Sequence, residues 1–204
     1  MNRIVPCALA TVAFLLAACG DRTANVSDSS VASYSPADTP AVRPLATCNE
    51  HIMTGDGIGL LRIGMPVDSV GTVCTVTSDT VFRATEGQLA RVVSVAMDLD
   101  TVYAEIVDER VWRILVRSQG IYTADSLGVG SSILMLTGFP DLNPMVGEGY
   151  LYVATTAHCG MSFRLSEPPT SAPHGEWTDT DLRNLGPNVH VTRILLIGCN
   201  RRPG

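Results

Sequence analysis

The amino-acid sequence predicts an α+β domain in which an antiparallel sheet carries two short helices. Hydrophobic residues make up 46% of the 204 residues and aromatic ones only 5%. The core must therefore consist mostly of Val, Leu, Ile, Ala and Met, and β-branched residues favour strands. Segments with a period of two follow one another between Arg91 and Arg117, as in half-buried strands. A segment at Leu61–Val70 returns at Leu127–Leu136 with an aligned glycine, which indicates a turn that leads into a short helix.

The first eighteen residues, 1–18, have the pattern of a secretory signal peptide. A positive start at Arg3 precedes an apolar run that is too short for a membrane span. The sequence Leu16-Ala17-Ala18-Cys19 resembles the bacterial lipobox, and the resemblance implies cleavage before Cys19 and acylation of its thiol. Acyl chains on Cys19 would anchor the protein in a lipid bilayer. Gly20 stands where an aspartate retains such proteins in the inner membrane, which implies the outer membrane. The alternative is an ordinary signal peptide with a chance cysteine.

Residues 19–46 predict a lipidated, flexible tether. They are rich in Ser, Thr, Ala, Pro and Asp, and such a segment buries too little apolar surface to offset its ordering entropy. A coil of about 27 residues spans on the order of 30 Å. The tether would therefore hold a folded domain at 47–204 clear of the lipid surface.

The domain is expected to begin with a glycine-dense turn and a helix. Thr54–Gly59 lacks the spacing of a dinucleotide-binding or phosphate-binding loop, so a tight turn is the interpretation we favour. Val67 and Val70 recur at helical spacing after Pro66, and proline is tolerated in a first helical turn. We therefore expect a helix over residues 66–73.

The following segments predict a meander with one buried and one solvated face. The expected strands are 91–97, 101–107 and 111–117, with a turn at 108–110. In the last of these strands Trp112, Ile114 and Val116 are expected in the core, with Arg113 and Arg117 on the other face. The two arginines could bind an acidic partner, although a solvated face is the simpler interpretation.

The second half of the domain repeats the order of a helix followed by strands. Ile133, Leu136 and Phe139 form the apolar stripe of a helix that ends near Gly138, because Pro140 prevents its continuation. The later elements are strands at 150–155 and 160–165, a loop at 167–177 and a central strand at 189–198. Residues 61–73 align with 127–139. This indicates a tandem duplication of half-units 47–118 and 119–204; chance agreement of apolar residues is the alternative.

The repeated pattern resembles the helix-then-sheet unit of the SmpA/OmlA assembly lipoproteins and of the tandem β-lactamase-inhibitor-protein fold. The resemblance covers about sixteen residues in each copy and rests on generic apolar spacing. It implies a small α+β unit, single or doubled, that presents a curved antiparallel sheet to a protein partner. No binding residue is carried over from it.

Four cysteines remain if Cys7 leaves with the signal and Cys19 carries lipid. An even number in an exported protein predicts two disulfides, and three connectivities are open. We favour Cys48–Cys74 with Cys159–Cys199, because each bond closes a loop within one half of the domain. A metal site is the rival interpretation, but the four residues contain no close C-x-x-C pair.

The sequence offers no motif for catalysis or for a cofactor. It has no lysine and a net charge of −6, which argues against Schiff-base chemistry and nucleic-acid binding. Ser131 and Ser132 are expected to cap a helix rather than to act as nucleophiles. Asp98 with Asp100, and Asp179 with Asp181, are expected in turns and caps. The histidines lack metal-binding spacing; they are His51, His158, His174 and His190.

These observations favour a lipid-anchored protein of the cell envelope that faces the periplasm and interacts with another envelope protein. A carrier of a small apolar ligand, held between sheet and helices, is the second hypothesis. An envelope hydrolase that uses His51, His158 or Ser131 is the third. Function is expected on the exposed sheet face and on the loop Glu167–Trp177.

Overall fold

The structure, a computed structural model, describes residues 48, 50–83, 89–173 and 175–199, all within the unit Arg43–Gly204. The expected signal peptide, Cys19 and most of the tether therefore lie outside the described residues. In the described part the fold is α+β, as predicted, and a large antiparallel sheet dominates it.

The described elements comprise eleven strands, three short α-helices and two 3₁₀ turns. The strands are β1 Met53–Thr54, β2 Gly57–Ile58, β3 Leu61–Arg62, β4 Thr75–Arg83, β5 Leu89–Met97, β6 Asp100–Val107, β7 Arg110–Val116, β8 Asn143–Gly147, β9 Tyr150–Ala154, β10 Met161–Leu165 and β11 Val191–Leu196. The helices are α1 Val67–Val73, α2 Ile133–Leu136 and α3 Asp179–Arg183, and the 3₁₀ turns are Thr156–His158 and Pro169–Ser171.

The eight-stranded sheet has the order β4-β5-β6-β7-β11-β10-β9-β8, and the short strands β1, β2 and β3 form a separate sheet. Each half of the domain therefore contributes a helix followed by four antiparallel strands, and in the second half the further helix α3 lies between β10 and β11. The last strands of the two meanders, β7 and β11, pair with each other at the centre, where Val116 lies opposite Ile194.

The two aligned glycines occupy equivalent positions in the structure. The N–H of Gly64 donates to the carbonyl of Val111 in β7, and the N–H of Gly130 donates to the carbonyl of Val191 in β11, both at 2.8 Å. Both glycines have positive φ, 82° and 91°, a region that favours glycine. Each turn thus ties the start of a helix to the last strand of its own meander.

One face of the large sheet forms the core together with the helices and the small sheet. A single hydrophobic cluster joins the buried residues of all three groups. Its sheet residues include Val93, Val95 and Met97 of β5, and its helical residues include Val70 and Leu136. The period of two over residues 91–97 predicts that Val93, Val95 and Met97 share the buried face, and helical spacing predicts burial of Val70 and Leu136. Both predictions are confirmed.

Trp112 differs from its predicted position. The pairing of β6 with β7 shifts by one residue, so that Glu105 lies opposite Arg113 but Ile106 lies opposite Val111. This bulge turns Val111 into the core and leaves Trp112 46% exposed.

A third helix, α3, also goes beyond the two that the sequence predicts. A capping box forms at its start: the Thr178 side chain accepts from the backbone N–H of Asp181, and the Asp181 side chain accepts from the backbone N–H of Thr178. The capping role expected for Asp181 is therefore present, but a helix of five residues carries too short an apolar stripe to be recognised from its sequence.

The structure pairs the cysteines that the sequence favours as partners. Cys48 pairs with Cys74 and Cys159 pairs with Cys199, with Cα atoms 5.1 and 5.0 Å apart. The first bond joins the segment before β1 to the residue after α1. The second joins the 3₁₀ turn before β10 to the residues that follow β11.

Candidate functional site

The sheet face opposite the core carries arginine and tyrosine side chains from both halves of the domain. We call this surface the arginine–tyrosine face. It consists of Tyr103, Arg113, Leu115, Arg117, Tyr150, Tyr152, Arg164, Arg193 and Leu195. Four arginines and two neighbouring glutamates, Glu105 and Glu148, make this region locally positive in a chain of net charge −6.

A small apolar cluster lies at the centre of this face. It comprises Leu115, Tyr152 and Leu195, with Tyr103 packed against them. Leu115 lies opposite Tyr103 in β6 and opposite Leu195 in β11. Every member of this cluster belongs to the large sheet. The cluster is therefore shielded from solvent by side chains of the sheet itself and not by a helix.

Three arginines stand in a row across the central strands. Arg164 of β10 lies directly opposite Arg193 of β11. Val116 of β7 lies opposite Ile194 of β11, and the two strands are antiparallel. The residue that follows β7, Arg117, is therefore beside Arg193 and continues the row on the side away from Arg164. Burial, and then the positive charges of Arg117 and Arg164, lower the pKa of Arg193 below its ordinary value. Like charges directly opposite one another destabilise a sheet.

Aromatic rings support the two outer arginines of this row. The guanidinium carbon of Arg117 lies 5.1 Å from the centre of the Tyr103 ring, and that of Arg164 lies 4.0 Å from the centre of the Tyr150 ring. These are cation–π distances. No carboxylate among the described residues forms an ion pair with any arginine of the row.

Arg113 has a different environment on the same face. Its Nε donates to Glu105 at 2.5 Å and its Nη1 donates to Glu148 at 2.9 Å. Burial disfavours the charged guanidinium, but the two carboxylates outweigh that effect and raise the pKa of Arg113. One guanidinium here holds two carboxylates.

The hydroxyl of Tyr152 has no hydrogen-bond partner among the described residues, although it is buried. Tyr152 is only 5% exposed and lies opposite Arg164. Burial, followed by the negative charge of Glu148, raises the pKa of Tyr152. A buried hydroxyl without a partner costs free energy, which makes this group a candidate donor to a ligand.

A second candidate site surrounds His158, in a cleft of about 350 Å³. Nε2 of His158 lies 3.2 Å from Oδ2 of Asp125, and the histidine side chain is 9% exposed. The rings of Phe139 and Phe163 contact the imidazole edge to face, with centroids 4.9 and 5.6 Å away. Burial raises the pKa of Asp125, but the hydrogen bond from Thr123 and the charge of His158 outweigh it and lower the pKa.

Asp125 beside His158 is one part of a general-base arrangement, although Nε2 of His158 makes no hydrogen bond among the described residues. Such a base activates either a side-chain nucleophile or a water molecule. The hydroxyl groups lining the described cleft belong to Thr54 and Thr123. Thr54 donates to the carbonyl of Gly57 at 3.3 Å, and Thr123 donates to Asp125. The lining sulfur atoms of Cys159 and Cys199 form a disulfide, so the described cleft offers neither a free thiol nor a hydroxyl without a hydrogen-bond partner.

The other residues considered for catalysis are separate and have local structural roles. Nδ1 of His51 lies 3.0 Å from the carbonyl of Gly120. Ser132 accepts from the N–H of Leu134 and caps α2, as expected. Ser131 accepts from the N–H of Gly128, also within the turn before α2. His174 lies outside the described residues.

The remaining predicted segments are turns. The glycine-dense segment forms the hairpin between β1 and β2. Asp98 has φ 56° in the turn between β5 and β6. In the described part of the loop Glu167–Trp177, Nε1 of Trp177 donates to the carbonyl of Pro169 at 3.0 Å, so a local hydrogen bond braces the loop.

Metal coordination and membrane insertion give no further candidate site among the described residues. No group of three or more His, Cys, Asp or Glu residues could hold a metal ion in this part of the chain. Within the same residues, no helix is long and apolar enough to cross a membrane.

No family model matches the chain, and no curated protein matches its sequence. The chain is similar to the uncharacterized protein yfeY from Escherichia coli, known from a crystal structure, with a TM-score of 0.47 and 13% identity. The similarity covers 72% of this chain and 97% of that one.

The sequence indicated Arg113 and Arg117 for this face but not Arg164, Arg193 and Tyr152. A weak signal was present for Arg164, which lies between the apolar residues Phe163 and Leu165. Arg193 precedes a continuous apolar run and has no such pattern. Their approach to Arg117 depends on the pairing of β7 with β11, which joins residues far apart in the chain.

Proposed function

We propose that the protein is a lipid-anchored envelope protein that binds a protein partner through the arginine–tyrosine face. The observation that carries the proposal is the composition of this face, in which arginine and tyrosine surround a small apolar centre. Arginine and tyrosine are enriched at the energetic centres of protein interfaces. The row of facing arginines lowers stability, and a binding role gives a reason for retaining it.

The position of the face supports the same role. The helices and the small sheet pack in the core cluster on the opposite side of the large sheet. A sheet face left for a partner is what the resemblance to the assembly lipoproteins and β-lactamase-inhibitor proteins implies. Membership of those families, the outer-membrane location and the periplasmic orientation are parts of the proposal.

Site-specific photocrosslinking in cells tests the binding face. A benzoylphenylalanine is placed at Tyr103, on the arginine–tyrosine face, and separately at Leu134 of α2, which is 52% exposed. We expect a discrete adduct from position 103 and none of that mass from position 134. The same adducts from both positions, or none from either, would contradict the proposal.

Lipid anchoring is tested separately at Cys19. Cys19→Ala is expected to abolish palmitate labelling and to release the protein from the membrane fraction, because the acylated thiol would be missing. Cys7→Ala is the matched control, since Cys7 lies within the expected signal peptide, and it should leave labelling and fractionation unchanged. Membrane retention of Cys19→Ala at the wild-type level would refute the anchor.

The alternative functions gain less support. A carrier of an apolar ligand needs space between sheet and helices, and one continuous cluster of buried side chains occupies that region of the described chain. A hydrolase with a side-chain nucleophile would need a hydroxyl or thiol beside His158, and the two hydroxyl groups of the described cleft donate hydrogen bonds elsewhere. Neither function is supported by an observation comparable to the arginine–tyrosine face.

A further inference from the structure

We propose that Arg117, Arg164, Arg193 and the hydroxyl of Tyr152 form an oxyanion-binding subsite that takes the carboxylates of an acidic segment of a protein partner. The inference rests on the proposed function and adds the chemistry of the partner. Two independent observations point to a ligand here: a row of three arginines without a carboxylate among the described residues, and a buried tyrosine hydroxyl without a hydrogen-bond partner.

The arginine row has the spacing that an extended acidic segment needs. Neighbouring strands lie about 4.8 Å apart, so guanidiniums on three strands cover roughly 10 Å. Side chains at alternate positions of an extended peptide are about 6.7 Å apart and point the same way. Two carboxylates at alternate positions can therefore be shared among the three guanidiniums, each through charge-assisted hydrogen bonds.

The face already contains an example of this recognition. Arg113 holds the carboxylates of Glu105 and Glu148 at once, whereas Arg117 and Arg193 hold none among the described residues. Cation–π contacts with Tyr103 and Tyr150 hold Arg117 and Arg164 over the sheet. Part of the ordering entropy of these long side chains is thereby lost before a ligand binds.

The surroundings favour a protein carboxylate over the phosphates of a lipid surface. The row adjoins the apolar centre formed by Leu115, Leu195 and Tyr103, which fits the apolar side chains of a polypeptide. The chain as a whole has a net charge of −6, and an extended anionic bilayer would repel it. A short acidic segment meets only the local positive charge.

The test uses the full-length protein and a blocked peptide in which glutamate alternates with serine; the same peptide with glutamine is the control probe. We expect binding of the glutamate peptide only, weakening as salt screens the charges. Arg193→Ala should weaken binding on the order of tenfold or more, as expected for loss of a charged hydrogen bond. Arg62→Ala, an exposed arginine of β3, should leave it within about twofold.

Tyr152→Phe separates recognition from folding, because it removes only the unpartnered hydroxyl. We expect severalfold weaker binding of the glutamate peptide with an unchanged amide NMR spectrum. Equal binding of the glutamate and glutamine peptides, or wild-type binding by Arg193→Ala, overturns the subsite. Arginine-dependent binding of inorganic phosphate or phosphatidylglycerol vesicles without peptide binding also overturns the carboxylate assignment.

The subsite and the proposed function can fail separately. If position 103 gives its discrete adduct in cells while the wild-type protein does not bind the glutamate peptide, the face is an interface and the subsite is wrong. If the peptide binds through the arginines but position 103 gives no adduct in cells, the subsite stands and the proposed function is wrong.

Discussion

Arg193 shows how one residue of the binding face affects the stability of the fold. It is half-buried in a central strand, opposite Arg164 and next to Arg117. Its side chain is partly buried, but its charge meets two like charges. The residue therefore contributes packing and costs electrostatic free energy at the same time.

We expect Arg193→Met to raise the free energy of unfolding by about 0.5–1 kcal/mol, because methionine keeps much of the packed stem and removes the repulsion. The gain should be largest at low salt, where the repulsion is least screened. Urea unfolding at low and high salt measures it. Arg62→Met is the control, with little change expected; a loss of stability in Arg193→Met would contradict the repulsion.

The free energy of unfolding is also expected to depend on pH, through the carboxylate of Asp141. Its carboxylate accepts the backbone N–H of Thr156 at 2.7 Å and the hydroxyl of Thr155 at 3.2 Å. Hydrogen bonding to Thr156, first from its side chain and then from its backbone, lowers the pKa of Asp141. A carboxylate with a lowered pKa stabilises the folded state at pH values above its ordinary pKa of about 3.9. That stabilisation is lost as the pH falls through the lower pKa of the folded state.

Asp141→Asn should therefore be less stable than the wild type at neutral pH, and the two proteins should converge in acid. The difference is expected to be constant down to about pH 5 and to shrink below about pH 4, where the wild-type carboxylate takes up its proton. Denaturant unfolding at several pH values measures both proteins. A difference that stays constant into strong acid would contradict the role of the charge.

At the level of elements, the repeated turn sets each helix against its sheet. Gly64 and Gly130 have positive φ and donate to equivalent strands of the two meanders. Gly71 lies within α1 and has open space around the position of a Cβ atom. The same substitution should therefore have opposite effects in the turns and in the helix.

Gly64→Ala and Gly130→Ala are each expected to lower the free energy of unfolding by about 1–2 kcal/mol, the cost of a Cβ in the left-handed region. Gly71→Ala should raise it by about 0.5–1 kcal/mol, because alanine favours a helix interior. Urea unfolding of the three variants tests the pattern. Equal effects at Gly64 and Gly71 would show that the turn carries no backbone constraint.

The predictions from sequence succeeded where periodicity and local turn chemistry decide the structure. The alternation in β5 gave the correct buried residues, and the strand predicted to be central, β11, is buried at Ile194, Leu195 and Leu196. The burial predicted for Trp112 was wrong, because the bulge depends on how β6 and β7 pair and cannot be recognised from the sequence of one strand. Strand β4 was missed because all of its residues are exposed, so it has no half-buried pattern. Strand β8 was missed because it contains Pro144, which argues against a strand except at an edge.

At the level of the whole molecule, the two meanders depend on each other through the central pair of strands. Strand β11 lies between β7 and β10, so removing either half exposes a central strand edge and one side of the core. The halves are also linked at their ends, because Met53 donates to the carbonyl of Tyr122 and Gly198 donates to that of Gly55. The arginine row itself takes Arg117 from the first half and the other two from the second.

We therefore expect that neither 47–118 nor 119–204 folds alone, and that mixing them restores the fold. Each fragment should give a poorly dispersed amide NMR spectrum, and the mixture a dispersed one, because burial of β7 and β11 requires both halves. The full chain cleaved at an inserted protease site after Ser118 is the control, since its halves are already associated. A native-like spectrum from either fragment alone would show that the halves are independent domains. Glutamate-peptide binding should return only with the mixture, because the row of arginines exists only where β7 meets β11.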